Sequence, residues 1–453
     1  MKTNVIVLGA GLAGLAAAYE LRGAGHEVTI LEARPEAGGR VRTVREFSGQ
    51  QYAEAGAQYI TREHAVTLHY VTALGLPLRP ARGAVLDVMA HVRGHRFRLD
   101  GYGRGAVPLA LTPREQAAGV FGLTALHLER ELRAALHLAR RGWPPPWLRP
   151  LDAMSLRRLL RERGASRGAL DLIQALQIGL AGDGLTEVSA LEGVMMEAAA
   201  TSRRLYEIVG GNDLLPAAFA SRLRACIQTR TVVTRLAQDG TGVRVTCRTP
   251  RGPRVLTADR LVCTVPFPVL AGIAVTPPWP ADKQRAIREM KLAPVTRTFQ
   301  QFRRRSWERQ GLGGYALTDL TIQNVYSPTL TQRGARGILA SYTGGRRARE
   351  LGSLTEARRQ AIVGRDLSTV FGDLGRVEAS ASFVWQDEPF ALGGFAYFTP
   401  GQLTTLLPLA RRVEGRVHFA GEHTSLWHGW MNGALESGRR AAREVHAALR
   451  GRP

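Results

Sequence analysis

The first thirty residues alternate between apolar runs and glycines. Residues 5–8 are apolar throughout, a helical apolar pattern covers 12–21, and a second apolar run covers 27–31. Short apolar runs on either side of a helical pattern predict a strand, a helix and a second strand. The chain therefore begins with the elements of a βαβ unit.

The turn between the first strand and the helix has the spacing G-x-G-x-x-G. In this pattern Gly9 permits the tight turn, Gly11 lets the backbone approach a pyrophosphate, and Gly14 lets helix and strand pack closely. The N-terminus of the helix offers free N–H groups to the phosphates. Glu32 follows the second strand, where an acid can accept a hydrogen bond from a ribose hydroxyl. The segment predicts dinucleotide binding.

Later parts of the chain differ in pattern. Alternation in residues 243–247 predicts a half-exposed strand. Residues 79–204 are mostly helical by pattern, with Arg114 to Arg141 as one long amphipathic stretch that the proline run at 144–146 must end. Residues 286–384 mix strand and helix patterns, so the middle of the chain predicts two inserts of different character.

Composition sets the class of protein. The chain has 453 residues with 45% hydrophobic content, which is enough for two or three domains with full cores. Its three cysteines are far apart, which favours buried thiols in a reducing compartment, and we expect a cytoplasmic protein. No segment contains the roughly 18 to 20 consecutive apolar residues that span a bilayer.

The net charge of +23 raises the possibility of nucleic-acid binding. Lysine occurs only at positions 2, 283 and 291, however, and the arginines are spread along the whole chain. This distribution does not favour a nucleic-acid surface. A strongly positive protein also slows its encounter with cations, which disfavours polyamine substrates.

The stretch after the second strand identifies the dinucleotide. The run Glu32-Ala33-Arg34-Pro35-Glu36-Ala37-Gly38-Gly39-Arg40 resembles the E-A-x-x-x-x-G-G-R continuation of the flavin monoamine oxidase and L-amino acid oxidase superfamily. The resemblance implies FAD as the cofactor, with Ala33, Arg34, Gly38, Gly39 and Arg40 among its binding residues.

The C-terminal region carries a second matching motif. The segment Ala420-Gly421-Glu422, followed by Trp430-Met431-Asn432-Gly433-Ala434 and Ser437-Gly438, resembles the closing A-G-E and G-A-x-x-S-G motifs of the family. The resemblance implies that a helix from Met431 points its N-terminus at the flavin. It adds Gly421, Glu422, Trp430, Met431 and Ala434 to the cofactor site, and Val233 as the residue whose backbone meets the adenine.

The resemblance also implies the fold class. We expect an α/β protein with a Rossmann-like FAD-binding domain of the GR2-type and an interleaved α+β substrate-binding domain. The FAD-binding domain is predicted over 1–78, 205–285 and 385–453. The substrate-binding domain is predicted over 79–204 and 286–384.

Two aromatic residues are candidates for the substrate site. The family places an aromatic cage beside the flavin, and its members map to Phe395 and Trp430. Monoamine oxidases attach FAD through a cysteine at the position of Gly394, and no cysteine lies near it here. FAD is therefore expected to bind non-covalently.

A third candidate departs from the family pattern. Arg297 stands where the family places a lysine that assists turnover with oxygen. An arginine keeps its proton at any working pH, so it can order a water but cannot shuttle that proton. The predicted catalytic residues are Arg297, Phe395 and Trp430.

The substrate's carboxylate has no receptor assigned by motif. L-amino acid oxidases bind it through an arginine at the position of Tyr59, and another arginine from the inserts would have to replace it. Tyr326 lies in a stretch that resembles the amino acid branch. The substrate-binding residues are thus Tyr59, Tyr326, Phe395 and Trp430, with no metal site.

These features predict FAD-dependent oxidation of an amine to an imine that hydrolyses, with oxygen reduced to hydrogen peroxide, and an L-amino acid is one candidate substrate. An amino acid monooxygenase, a flavoprotein acting on carbon–carbon bonds and a non-enzymatic flavoprotein stay open as alternatives. No nucleic acid or membrane partner is expected, and a homodimer is possible.

Overall fold

A computed structural model describes residues 3–81, 86–135, 143–177, 179, 182–200 and 205–450. The strands are β1 (Asn4–Leu8), β2 (Glu27–Leu31), β3 (Thr43–Val44), β4 (Ala53–Glu54), β5 (Ile60–Thr61), β6 (Leu78–Pro80), β7 (Asp87–Val92), β8 (His95–Leu99), β9 (Leu205–Ile208), β10 (Ile227–Gln228), β11 (Val232–Gln238), β12 (Val243–Thr249), β13 (Gly252–Ala258), β14 (Arg260–Cys263), β15 (Ala274–Thr276), β16 (Lys291–Leu292), β17 (Val295–Phe302), β18 (Leu312–Thr318), β19 (Asn324–Tyr326), β20 (Gly337–Gly344), β21 (Val377–Val384), β22 (Ala396–Tyr397) and β23 (Val417–Phe419).

The helices are α1 (Leu12–Gly23), α2 (Ala65–Ala73), α3 (Pro113–Ala118), α4 (Leu123–Ala135), α5 (Leu156–Glu162), α6 (Arg167–Gln177), α7 (Ala190–Ala200), α8 (Leu214–Arg222), α9 (Phe267–Leu270), α10 (Ala281–Glu289), α11 (Gly345–Gly352), α12 (Glu356–Phe371), α13 (Leu403–Arg411) and α14 (Met431–Arg450). Short 3-10 helices cover Ser48–Gln50, Val120–Gly122, Pro146–Ala153, Arg224–Cys226, Ser306–Gln310, Trp385–Asp387 and Glu422–Thr424.

A five-stranded parallel sheet carries both ends of the chain. Its order is β10-β2-β1-β14-β23, so the N-terminal strand β1 is central and β23 from the C-terminal region is at one edge. Strand β1 is apolar from Val5 to Leu8 because both of its faces are covered. Val5 and Val7 pack with α1 and α14, whereas Ile6 and Leu8 face a different apolar cluster.

The two chain ends meet directly above this sheet. Helix α1 follows the glycine turn, and α14 packs along it. A Cβ atom at Gly438 would lie 2.3 Å from the carbonyl oxygen of Ala13, so the two helix backbones approach as closely as a glycine allows. This contact brings the C-terminal motif beside the N-terminal one.

The second large sheet combines both inserts. Its order is β21-β17-β20-β19-β18-β7-β8, and β7 from the first insert pairs in parallel with β18 from the second. Strand β17 is buried at every position, because β20 and β21 flank it and α11 and α12 pack against it. The domain boundaries given above stay a prediction. The strands of the five-stranded sheet all lie within the predicted FAD-binding ranges, and those of the second large sheet all lie within the predicted substrate-binding ranges.

The prediction of one long amphipathic helical stretch over Arg114 to Arg141 is wrong, because its described part forms two separate helices. Helix α3 ends at Gly119, which has a φ of +70°, and a short 3-10 helix separates it from α4. Helix α4 is itself kinked at Leu128, where φ is −124°. Only α4 buries apolar side chains in the core, among them Leu123, Leu128 and Leu132, whereas the one buried residue of α3 is Glu115. Residues 136–141 of the stretch lie outside the described residues.

Within the described ranges, no helix is long and apolar enough to cross a membrane. The core instead follows the sheets and the helical insert, in clusters of buried aliphatic side chains.

The glycine turn gives a direct test of this packing. A Cβ atom at Gly14 would lie 2.0 Å from the carbonyl oxygen of Gly9, which is backbone and cannot rotate away. We expect Gly14→Ala to lower the free energy of unfolding by about 2 kcal/mol, the usual cost of overpacking. Chemical denaturation monitored by circular dichroism measures it.

Gly23 at the end of the same helix is the matched control. A Cβ atom there meets nothing within 4 Å. Gly23→Ala should therefore leave stability unchanged or raise it slightly. Equal losses of stability in the two variants would contradict the close approach of Gly14 to Gly9.

Candidate active site

One cavity of about 640 Å³ runs from the glycine turn to the large mixed sheet. It lies between the five-stranded sheet and the insert sheet, and residues from both line it. The predicted cofactor residues that line it are Gly9, Gly11, Glu32, Ala33, Arg34, Gly38, Gly39, Arg40, Val233, Gly421, Glu422, Trp430, Met431 and Ala434. The predicted substrate residues Tyr59, Tyr326, Phe395 and Arg297 line it as well. The exception is Gly14, which packs against the turn itself.

The floor of the cavity at the N-terminal motif is bare backbone. Gly9 adopts a φ of +94°, which favours glycine, and a Cβ atom there would lie 2.7 Å from the Thr264 hydroxyl. Gly11 pairs with Gly38 in an isolated bridge, and a Cβ atom at Gly39 would lie 3.0 Å from the Gly11 Cα. The two glycine turns therefore hold each other in contact and leave a smooth surface beside the N-terminus of α1.

Glu32 is fixed at the end of β2. Its Oε2 accepts a hydrogen bond of 2.6 Å from the Ala10 N–H, and its Oε1 accepts one of 2.8 Å from the Arg34 N–H. The Thr231 N–H donates to the Glu32 carbonyl oxygen, which ties β11 and its Val233 to the same place. Burial raises the pKa of this carboxyl. The acid and the adenine-side strand are thus held as one unit.

Two arginines of the E-A-x-x-x-x-G-G-R motif are committed to protein acceptors. The Arg34 Nη1 donates to the Gly39 carbonyl oxygen at 2.7 Å, and its guanidinium pairs with Glu388 at 3.1 Å. Arg40 pairs with Glu422 at 2.7 Å and donates to the Gly394 carbonyl oxygen. These contacts lock the turn at Gly38 and Gly39 to the rest of the site.

Glu422 joins three parts of the site. Besides pairing with Arg40, its carboxylate accepts hydrogen bonds from the Ala396 N–H and from the Gly429 N–H at 2.8 Å. Burial would raise the pKa of Glu422, but Arg40 and these donors outweigh it, and the pKa lies below its usual range. The ionised carboxylate therefore ties the N-terminal motif to the strand after Phe395 and to the loop before α14.

This geometry fits FAD. The glycine surface and the N-terminus of α1 suit a pyrophosphate, and Glu32 lies where a ribose hydroxyl would reach it. The N-terminus of α14 opens on the same cavity through Met431 and Ala434. A helix N-terminus stabilises negative charge on a ring edge that faces it.

Aromatic and apolar side chains line the next part of the cavity. Phe395 and Trp430 come from separate chain segments, and Met196 of α7 lines the same cavity. A Cβ atom at Gly429 would lie 3.0 Å from the Met196 side chain and 3.5 Å from the Phe395 ring. The cage role of Phe395 and Trp430 stays a prediction, and the structure places both on the wall of one cavity.

His64 backs the Trp430 ring. The two ring centroids are 4.9 Å apart, and burial lowers the pKa of His64 to about 4, so the imidazole is neutral. Its Nδ1 accepts from the Thr61 N–H, whereas no described residue binds its Nε2 or the Trp430 Nε1. This edge of the site is polar but uncharged.

Arg297 lies in the middle of β17 and is 3% exposed. Its Nη2 donates to the Glu54 carbonyl oxygen and to the Gln58 side chain, both at 2.9 Å, and also contacts the Tyr326 hydroxyl. The rings of Tyr326 and Tyr342 flank the guanidinium, with centroids 5.2 and 4.7 Å from its central carbon. The charge is thus held by neutral groups.

A buried pair supports the aromatic wall from behind. The His428 Nε2 lies 2.6 Å from Glu192 of α7, and both side chains are fully buried. The His428 Nδ1 donates to the Ser425 carbonyl oxygen. Burial alone would lower the pKa of His428, but Glu192 outweighs it and raises it. The loop before Trp430 is therefore anchored to the helical insert.

Comparison with known proteins decides the family. The description "Flavin containing amine oxidoreductase" matches residues 12–446. The chain is 36% identical over 461 residues to YobN of Bacillus subtilis (strain 168), covering 98% of this chain and 94% of that one. It is 31% identical over 457 residues to the L-amino-acid oxidase of Vipera ammodytes ammodytes, covering 98% and 93%.

The chain belongs to the flavin-containing amine oxidoreductase family. It is an FAD-dependent oxidoreductase, and the glycine surface, Glu32 and Glu422 described above are the parts that fit this cofactor.

Solved structures agree on the fold. Wild-type putrescine oxidase bound to putrescine superposes with a TM-score of 0.86 at 23% identity, with 99% of each chain covered. Cyclohexylamine oxidase from Brevibacterium oxydans IH-35A gives 0.85 at 22% identity, with 99% of this chain and 100% of that one covered. The Rossmann-like α/β fold expected from the sequence is confirmed.

Several residues of the site were not singled out by the sequence. Tyr315, Tyr342 and Met196 line the cavity from β18, β20 and α7, and Glu192 pairs with His428. The inserts carry no family motif, so the signal for these residues is only their place on buried strands and helices. His428 and His64, which carry no motif either, are both fully buried.

The pair between Glu422 and Arg40 gives a test of the cofactor site. Glu422→Gln leaves Arg40 without its ion-pair partner, at a cost of about 3 kcal/mol. We expect weaker FAD binding, measured as a lower FAD content after dialysis, and a lower melting temperature. Because the pKa of Glu422 is lowered in the folded protein, its stabilisation is complete above the usual carboxyl range and is lost as the pH falls below it.

The control is Glu350→Gln, which removes an exposed pair with Arg346 on α11. Such pairs contribute about 0.3 to 0.5 kcal/mol, so FAD content should not change. Full FAD retention in Glu422→Gln at neutral pH, or an unchanged acid transition, would contradict the role given to Glu422.

Proposed function

We propose that this protein oxidises the amine of an L-amino acid with molecular oxygen. The substrate, oxygen and water give the carbonyl product, ammonia and hydrogen peroxide. The observation that carries the proposal is the continuous cavity, which joins the FAD-binding glycine surface to an aromatic wall. The amino acid class is favoured by the relative from Vipera ammodytes ammodytes, which is named L-amino-acid oxidase and matches over 98% of this chain.

The side chains around this part of the cavity orient the substrate rather than react with it. When bound, FAD takes two electrons and a hydrogen from the substrate carbon. Phe395 and Trp430 would hold the amine in line with the cofactor and exclude water from it. Fixed orientation of this kind is a large part of the rate that such a site supplies.

No general base is required if the amine arrives neutral. The carboxylates that line the cavity, Glu32 and Glu422, are held by backbone N–H groups and arginines at the cofactor end. His64 is the nearest described titratable group behind Trp430, and its lowered pKa leaves it uncharged. The rate should therefore rise with pH as the free amine becomes deprotonated.

Oxygen as the acceptor and a non-covalent cofactor are parts of the same proposal. Gly394 occupies the position where monoamine oxidases carry the attaching cysteine, and the described cysteines are all buried and free. A cytoplasmic location and a homodimer stay predictions.

The proposal predicts that purified protein is yellow and forms peroxide with L-amino acids. A panel of L-amino acids and simple amines, read by a coupled peroxide assay and by anaerobic bleaching of the flavin, tests it. Bleaching without peroxide would exclude oxygen as an efficient acceptor. Bleaching by none of the panel would overturn the proposal.

Arg297 offers a second test, on the oxygen step. Since arginine cannot release its proton, Arg297→Lys should speed the reoxidation of reduced flavin by oxygen, by up to about 100-fold, the lower end of the gain from a positioned proton donor. Stopped-flow mixing of the pre-reduced enzyme with oxygenated buffer measures this rate. An equal or slower rate in the variant would contradict the placement of Arg297 at the family's lysine position.

A further inference from the structure

Arg297 is the one cavity-lining arginine of the described chain that has no acidic partner. Arg34 pairs with Glu388 and Arg40 pairs with Glu422, both at about 3 Å. Arg297 is almost fully buried, yet no described carboxylate lies within ion-pair distance of it. Its positive charge is therefore not balanced by the protein.

The hydrogen bonds of Arg297 leave one nitrogen of the guanidinium free. Its three hydrogen bonds all use Nη2, and they anchor it to Glu54, Gln58 and Tyr326. The buried Nε has no partner, and no described group accepts from Nη1. Nη1 is therefore the nitrogen that can donate a charge-assisted hydrogen bond to a carboxylate oxygen from solution.

The surroundings do not supply the missing negative charge. Glu54 contacts Arg297 through its backbone carbonyl oxygen, but its carboxyl accepts from the Asn212 N–H and the Thr43 hydroxyl rather than from Arg297. Burial raises the pKa of Glu54 to about 8, so this group is mostly neutral at physiological pH. Arginine cannot lose its proton to avoid the cost of burial, so the site favours an anion from solution.

The tyrosines around Arg297 suit the same ligand. Tyr59, Tyr326 and Tyr342 line the cavity, and burial raises the pKa of each. Their hydroxyls therefore stay protonated and can donate hydrogen bonds to an anion. A second ammonium group would meet only a guanidinium and neutral hydroxyls here, which disfavours a diamine.

We propose that Nη1 of Arg297 binds the substrate carboxylate, and that this contact selects α-amino acids over amines of the same skeleton. The inference rests on the proposed amine oxidation and names the residue that defines its substrate class. The receptor lies on β17 in the second insert, whereas Tyr59 stands at the position where L-amino acid oxidases carry their carboxylate-binding arginine.

The experiment compares L-phenylalanine with 2-phenylethylamine, which differ only in the carboxylate. Anaerobic stopped flow gives, for each substrate, the ratio of the flavin reduction rate constant to the substrate Kd. In Arg297→Met we expect this ratio to fall by about 100-fold or more for L-phenylalanine, as for the loss of one partner of a buried charge pair. The ratio for 2-phenylethylamine should change by less than about threefold.

Benzoate titration gives a readout that needs no turnover. Benzoate carries the carboxylate but no amine, and its binding is followed by the change in the flavin absorption spectrum. Its Kd should rise by about 100-fold in Arg297→Met and by about tenfold in Arg297→Lys, which keeps the charge but not the second guanidinium nitrogen. Arg346→Met, which removes an exposed arginine on α11, is the control and should leave both readouts unchanged.

The outcomes separate the receptor from the reaction. Equal losses for both substrates, with benzoate affinity unchanged, would show that Arg297 does not bind a carboxylate. Wild-type flavin reduced by 2-phenylethylamine but not by L-phenylalanine would also overturn the receptor, while amine oxidation would stand. Reduction by neither substrate, with benzoate binding that depends on Arg297, would instead overturn the proposed reaction and keep the anion site. If Arg297→Met does not retain FAD, Arg297→Lys decides by the same two readouts.

Discussion

The structure depends on three places where two backbone segments approach each other with no side chain between them. Gly14 meets Gly9 and Gly438 meets Ala13 at distances that a Cβ atom essentially never occupies, and Gly39 meets Gly11 at the tight limit of 3.0 Å. These three contacts bring the first strand, the second glycine turn and the C-terminal helix to one place. The cofactor surface exists because the two ends of a chain of 453 residues are held together there.

How much of this could be predicted follows from where the motifs lie. The turn at Gly9 and the acid at Glu32 were expected from local spacing, because their chemistry needs fixed residue types at fixed distances. Glu422 and Arg297 were expected only from the resemblance to the family. The free Nη1 of Arg297 could not be predicted, since it depends on contacts with Glu54, Gln58 and Tyr326 that only the fold brings together.

The helical insert was the least predictable part. An apolar pattern reports which side of a helix is buried, but a glycine with positive φ or a kink leaves that pattern intact, as at Gly119 and Leu128. The same insert supplies Met196 and Glu192, whose partners lie more than 190 residues away along the chain. Such contacts leave no trace in a single sequence.

Charge is distributed unevenly along the cavity. At the cofactor end each described arginine meets a carboxylate, so that end is nearly neutral and rigid. At the far end Arg297 is surrounded by hydroxyls, a carbonyl and an amide. The paired charges therefore lie at the cofactor end of the cavity. The unpaired positive charge of Arg297 lies at the end proposed for the substrate.

The hydrogen bond between Glu192 and His428 has a consequence for how such a pocket can diverge. It joins a helix of the first insert to the loop that carries Trp430, through two side chains with no access to solvent. Replacing α7 to reshape the pocket would leave a polar atom without a partner in the interior unless both partners changed together. Reshaping the pocket from this side therefore requires paired substitution of Glu192 and His428, whereas the strands on the opposite side are free of this requirement.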